Sequence, residues 1–152
     1  MDKRDMRRSR GFSLLELLIV VAIILIIVTI AIPNVVRSRQ SAQEASAVAT
    51  LKQIHAAEIL YMSSNRGSFS HLAGLAASGE LDDRFAEGGG SPVLNGYRYS
   101  VVLSGPNNSE YYIQADPVST TSGRYDYYSG VDGVVRYRTA LGGRVPGAPV
   151  SQ

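Results

Sequence analysis

Gly11-Phe12-Ser13-Leu14-Leu15-Glu16-Leu17-Leu18-Ile19-Val20-Val21 opens an apolar run that continues to Ile32 and closes at Pro33, with Thr29 its only polar side chain after Glu16. Roughly 21 residues of this kind are long enough to cross the hydrocarbon core of a bilayer as a helix. Lys3, Arg4, Arg7, Arg8 and Arg10 stand directly before it, against Asp2 and Asp5. That flank satisfies the positive-inside bias, so the leader is expected to stay cytoplasmic and everything after Pro33 to be exported. A secretory signal would have a shorter apolar core followed by a small-residue cleavage site. Here the small residue, Gly11, precedes the run, and Pro33, Asn34, Val35 and Val36 follow it. A cut after Gly11 removes the charges and keeps the apolar helix.

The single acid inside the run is affordable to the membrane. Leu, Ile, Val and Phe contribute about 0.3 to 0.6 kcal/mol each near a helix centre, and a central acid costs about 2.5 to 3.5 kcal/mol. The sixteen such residues from Phe12 to Ile32 outweigh one carboxylate. Glu16 is then a group in want of a partner, and an intramembrane acid is by default a functional one. The blander alternative leaves it in the headgroup region. Its natural partner is a cationic α-amino group, which a cut after Gly11 would create on Phe12. In a stack of parallel, staggered helices the Glu16 of one copy can meet the Phe12 amine of another.

This arrangement resembles the N-terminal signal of type IV pilins and of the related pseudopilins of type II secretion. Gly11 precedes the cut, Phe12 becomes the first mature residue, Glu16 is its fifth, and Pro33 stands where that family carries a helix-bending proline. The resemblance implies cleavage between Gly11 and Phe12 by a prepilin peptidase and N-methylation of Phe12. It further implies storage in the inner membrane as a single-pass protein with a periplasmic head, then polymerisation with other pilin subunits by a pilus assembly platform into an extracellular filament. The motif covers only about the first quarter of the chain.

Past Pro33, a residue with no amide donor that is expected to kink the helix, the chain to about Ser63 has neither Gly nor Pro and is rich in Ala, Gln and Glu, which favours continued helix. Ala47, Leu51, Ile54 and Tyr61 share one stripe, and Glu58 intrudes on it, so partial burial is expected there. Ser63-Ser64-Asn65-Arg66-Gly67 reads as a helix stop, and Gly88-Gly89-Gly90-Ser91-Pro92 as an irregular segment. From Tyr97 the texture changes to short tyrosine-rich and β-branched runs near 97–103, 110–115, 124–128 and 134–137, separated by turn residues, which predicts an antiparallel meander. The expected fold is α+β: a long N-terminal helix, membrane half first and amphipathic half second, packed on a small antiparallel sheet. The expected organisation is a leader (1–11), a membrane and filament-core helix (12–33), an amphipathic helix (34–63), a head (64–138) and an irregular tail (139–152). The progression Gly96-Tyr97, Ala115-Asp116-Pro117, Gly123-Arg124 and Asp132 to Arg136 is similar, more weakly, to bacterial pilin domains without disulfides.

Composition narrows the function classes. Lys plus Arg number 15 and Asp plus Glu 13. The leader holds five of the former and two of the latter, so the remainder carries 10 against 11 and no basic footprint for nucleic acid. With no cysteine, thiol catalysis and thiolate zinc sites are excluded. His55 and His71 lack ligand-like spacing, no Gly-x-Ser-x-Gly elbow occurs, and Gly88 to Gly90 lack the lysine and flanking elements of a phosphate loop. No enzyme and no cofactor are expected. Asp116, Asp126 and Asp132 raise a calcium alternative, since type II secretion pseudopilins carry such a site; spaced widely near turns, they read first as turn aspartates. Eight of the nine tyrosines fall in expected strands, where aromatic packing accounts for them better than electron conduction. The leading expectation is a type IV pilus subunit. The alternatives are a type II secretion pseudopilin and, from another class, a membrane-anchored periplasmic binding module that never polymerises.

Overall fold

The computed structural model describes residues 12–139. The leader, with Gly11, and residues 140–152 lie outside them. Helix α1 spans Leu14–Ser64 with Pro33 inside it. The chain divides into two compact units between Val36 and Arg37, a few residues beyond the boundary expected at Pro33.

In the first unit every described residue is exposed. Its stretch of α1 is long and apolar enough to cross a membrane. Pro33 cannot donate to the carbonyl of Thr29, one turn back, and the Thr29 hydroxyl donates in turn to the Ile26 carbonyl at 2.7 Å.

The second unit is built on the remainder of α1, and a single core organises it. Ala47, Leu51, Ile54 and Ala57 recur at helical spacing and are buried. They join Tyr97, Tyr99, Val101, Tyr111, Ile113 and Ala115 from one face of a sheet in one hydrophobic cluster. Phe69, Leu72, Leu75, Leu81 and Phe85 complete it from the segment that links helix to sheet. α1 ends where Arg66 and Gly67 take positive φ (57° and 84°) and the Gly67 N–H donates to the Met62 carbonyl at 3.1 Å. That left-handed turn closes the last helical carbonyls. A short helix α2 (Leu72–Ala77) and a 3-10 turn (Asp83–Phe85) follow.

The sheet is a five-stranded antiparallel meander in chain order: β1 (Val93–Leu94), β2 (Tyr97–Ser104), β3 (Glu110–Pro117), β4 (Tyr125–Gly130) and β5 (Arg136–Thr139). The long helix on an antiparallel sheet is the α+β fold expected. Differences lie at the element ends. β1 is an addition, paired to β2 with Leu94 opposite Tyr97. Asn95 and Gly96, both at positive φ (50° and 80°), make the two-residue turn, a conformation that favours Asn-Gly. β5 begins at Arg136, two residues later than expected, because the Asp132 carboxylate accepts the Val134 N–H at 3.1 Å and holds Val134 in the turn. Thr139 belongs to this strand, paired with Tyr125, rather than to an irregular tail.

Candidate functional site

Phe12 and Ser13 precede the first helical residue, Leu14, and the Leu17 N–H donates to the Ser13 carbonyl at 3.1 Å. Glu16 therefore sits in the first turn of α1, where the exposed amide donors of a helix end favour a negative charge. Its side chain is exposed, as is that of Phe12, and among the described residues its carboxylate has no ion pair or hydrogen bond. Around and beyond it the large apolar side chains are equally uncovered, from Leu14 (82 % exposed) through Ile32 (58 %). An apolar helix in this state demands an apolar surrounding, whether lipid or other helices.

In the head, two buried carboxylates on α1 do opposite jobs. Glu44 is gripped by Arg124, eighty residues away in the β3–β4 loop. The Arg124 backbone N–H and Nε donate to Glu44 Oε1 at 2.9 and 3.1 Å, and Nη2 donates to Oε2 at 2.9 Å. The Arg124 hydrogen bonds hold the Glu44 carboxyl below the usual carboxylate range. Two neighbouring contacts fix the same region: Gln40 Nε2 donates to the Thr120 carbonyl (2.8 Å) and Asn95 Nδ2 to Ser46 Oγ (2.8 Å). Gly123 is needed here, because a Cβ would fall 1.9 Å from the Tyr97 hydroxyl, whose proton goes to the Tyr125 carbonyl at 3.0 Å.

Glu58 is the contrary case. The stripe reading expected it partly buried; it is fully buried. Its Oε2 accepts the Ser70 N–H at 3.0 Å, and its Oε1 has no partner. Burial without a cation pushes its carboxyl up to about 7. Nearby in the core, His55 Nδ1 is hydrogen-bonded to the Tyr111 hydroxyl, and burial, with the Glu58 charge second, raises the Tyr111 phenol far above its ordinary value.

The three aspartates of the calcium alternative are drawn to separate partners. Asp116 accepts both hydrogen bonds from Gln114 Nε2 (2.9 and 3.1 Å). Asp126 faces Arg138 Nε at 3.4 Å, and Asp132 pairs with Arg136 Nη2 at 2.7 Å. Among the described residues no three His, Asp or Glu side chains gather as metal ligands. His71 Nδ1 lies 3.3 Å from the Val101 carbonyl, a contact with the sheet. Tyrosines 97, 125, 127 and 137 form one aromatic cluster, with Tyr125 and Tyr137 edge to face at 5.1 Å. That is cross-strand packing of the kind expected of them. Sequence reasoning missed the Glu44 to Arg124 clamp, which no local spacing announces. It missed β1 although the Asn95-Gly96 pair announces a hairpin.

Comparison with known proteins meets this geometry at the same residues. Residues 6–32 match the prokaryotic N-terminal methylation motif. Over 74 residues the chain is 36 % identical to the type IV wide pilus major component PilA4 of Thermus thermophilus, covering 49 % of this chain and 56 % of that protein. Over 56 residues it is 43 % identical to the type IV major pilin protein PilA of Myxococcus xanthus, covering 37 % of this chain and 26 % of that protein. The chain thus spans about half or less of the length of these relatives. No solved structure matches it significantly. By motif and relatives the chain is similar to type IV pilins over part of its length, and its long helix on an antiparallel sheet is the fold expected from its sequence.

Two outcomes follow for the head. Glu44→Ala leaves the Arg124 bonds unmade and is expected to cost about 2 kcal/mol, roughly 10 °C in Tm by thermal denaturation in detergent. Because the folded Glu44 pKa is depressed, its contribution is present above the ordinary value of 4.5 and fades as pH falls below it. Glu58 works with the opposite sign. Its folded pKa is raised, so the native head holds a proton that the unfolded chain releases, and wild-type stability should fall as pH rises from 4.5 through about 7. Glu58→Gln mimics the protonated form, and its Tm should hold steady between pH 5 and pH 8 where the wild type declines. Parallel decline of both proteins would show that Glu58 is not the titrating group.

Proposed function

We propose that the chain is a structural subunit of a type IV pilus, made as a precursor whose leader, residues 1–11, is removed by a prepilin peptidase between Gly11 and Phe12. The observation that carries this reading is Glu16, an acid without a described partner in the first turn of an uncovered apolar helix, four residues from the amine that the cut would create. Before assembly, α1 spans the inner membrane once with the head in the periplasm. An assembly platform then passes the subunit into an extracellular filament whose core is made of the apolar halves of α1. There Glu16 of one subunit neutralises the Phe12 ammonium of a neighbour, and methylation of Phe12 keeps that charge while adding apolar bulk. In a dry core a half-made ion pair is costly, so the contact selects one axial register rather than merely adding stability. Pro33, lacking its helical hydrogen bond, is the place where α1 is proposed to bend on packing. The names of both relatives, each a major pilus component, favour the pilus over the secretion pseudopilus.

Processing and pairing are tested in turn. Mass spectrometry of the mature chain should find N-methylated Phe12 at its start; an N-terminus beyond Pro33 would contradict the reading. Glu16→Leu should insert into the membrane at least as well as the wild type yet enter filaments poorly, because an uncompensated buried ammonium costs about 3 to 5 kcal/mol. Wild-type filament yield from that variant, measured by shearing and electron microscopy, would rule the pairing out.

A further inference from the structure

Arg37 and Arg39 follow Pro33 on α1 by four and six residues, and both are exposed. Neither makes an ion pair or hydrogen bond among the described residues, whereas Arg124, Arg136 and Arg138 are all paired with carboxylates. Basic residues on the exported flank of a span work against the orientation set by the inside flank. Their presence on that flank calls for a use.

Three observations indicate what that use is. The first is position: the two side chains come just after the apolar stretch, at the depth where phosphate groups begin, and arginine extends its stem along apolar surface while its guanidinium seeks polar partners. The second is direction. Two residues apart on a helix turns through about 200°, so Arg37 and Arg39 point to opposite sides of α1. One flat protein surface cannot meet both, but lipid headgroups surround a helix on every side. The third is the charge of the head where α1 first meets it. Gln40 binds the Thr120 carbonyl, and the segment Val118–Gly123 around that contact has no charged side chain. Glu44, the next acid along α1, is already taken by Arg124.

We propose that Arg37 and Arg39 form a collar for the phosphates of anionic lipids at the exit face of the bilayer, fixing the depth at which the unassembled subunit is stored. This rests on the single-pass reading of α1 given above. A guanidinium meets a phosphate with two parallel hydrogen bonds, which an ammonium cannot do. The collar has to be released when the subunit leaves the membrane, so it opposes extraction without taking part in the filament core.

The chain has no cysteine, so Ala42→Cys, at an exposed position on α1, gives a unique site for a nitroxide. The full chain is reconstituted in phosphatidylcholine vesicles with and without phosphatidylglycerol, and collision of the label with a water-soluble relaxant is measured. Anionic vesicles should reduce that collision roughly twofold, an effect screened by salt, since surface attraction of basic residues decays within a Debye length. The added substitutions Arg37→Gln and Arg39→Gln should abolish the difference, Arg37→Lys with Arg39→Lys should retain part of it, and millimolar inorganic phosphate should leave it unchanged. Equal collision in both lipids, or a glutamine variant that behaves as wild type, would overturn the collar. So would protection in neutral vesicles that grows with the protein-to-lipid ratio, which would assign the arginines to a second copy, or displacement by inorganic phosphate, which would assign them to a free anion. Alkaline extraction separates the two readings: a chain washed from the vesicles sinks the single-pass reading and the collar with it, whereas a retained chain indifferent to lipid charge sinks the collar alone.

Discussion

The burial of one stripe of α1, Ala47, Leu51, Ile54 and Ala57, against the inner face of the sheet is the contact on which the head depends. Tyr97 and Tyr99 join that stripe in one cluster, and neither has measurable exposure. Large aromatic side chains supply most of the apolar area that so small a domain can bury. Without the helix, β2 and β3 would present a row of uncovered tyrosine and aliphatic side chains. Without the sheet, the helix stripe would be as bare as the apolar half that precedes it.

Polar contacts around that stripe set position rather than supply the bulk of the stability. Glu44 receives a charged fork and a backbone N–H from the same residue, so it fixes both the side chain and the chain path of the β3–β4 loop. Glu58 holds the segment that links helix to sheet by a single backbone N–H at Ser70, with its second oxygen unpartnered. One carboxylate is satisfied and the other strained by burial, although both are buried glutamates of the same helix. The difference is a cation, and it is supplied by a loop that only the fold brings near. On the outer face of the sheet, Arg98 lies opposite Asp116 and Asp126 opposite Arg138 in the strand register. Opposite charges across neighbouring strands of this kind favour one register over its slips.

The two halves of α1 answer to different surroundings through the same backbone. Its first half displays apolar side chains on all sides with one acid near the start, and nothing among the described residues covers them. Its second half alternates buried and exposed positions at helical spacing. A helix divided in this way suits a part that must be insoluble at one end and folded at the other.

The fold class was legible in the sequence because its signals are periodic and local. An unbroken apolar run bounded by charge and proline, an alanine-rich stretch without breakers and a set of short tyrosine-rich runs each dictate a secondary structure within a few residues, and α1 and the meander follow from them. Phe12 and Glu16 stood out for the same reason, since an acid in an apolar run is anomalous wherever the chain goes afterwards. The tertiary structure decided what depends on distant residues. Glu44 and Arg124 are eighty positions apart, and no local pattern tells a paired glutamate from an exposed one. Glu58 looked like a defect in an apolar stripe and is instead fully buried, because α1 is covered there by the segment carrying Ser70. The start of β5 shifted because a turn carboxylate captured the amide of Val134. Sequence periodicity records which face a residue occupies; which partner it finds on that face depends on loop closure, and only the folded chain settles that.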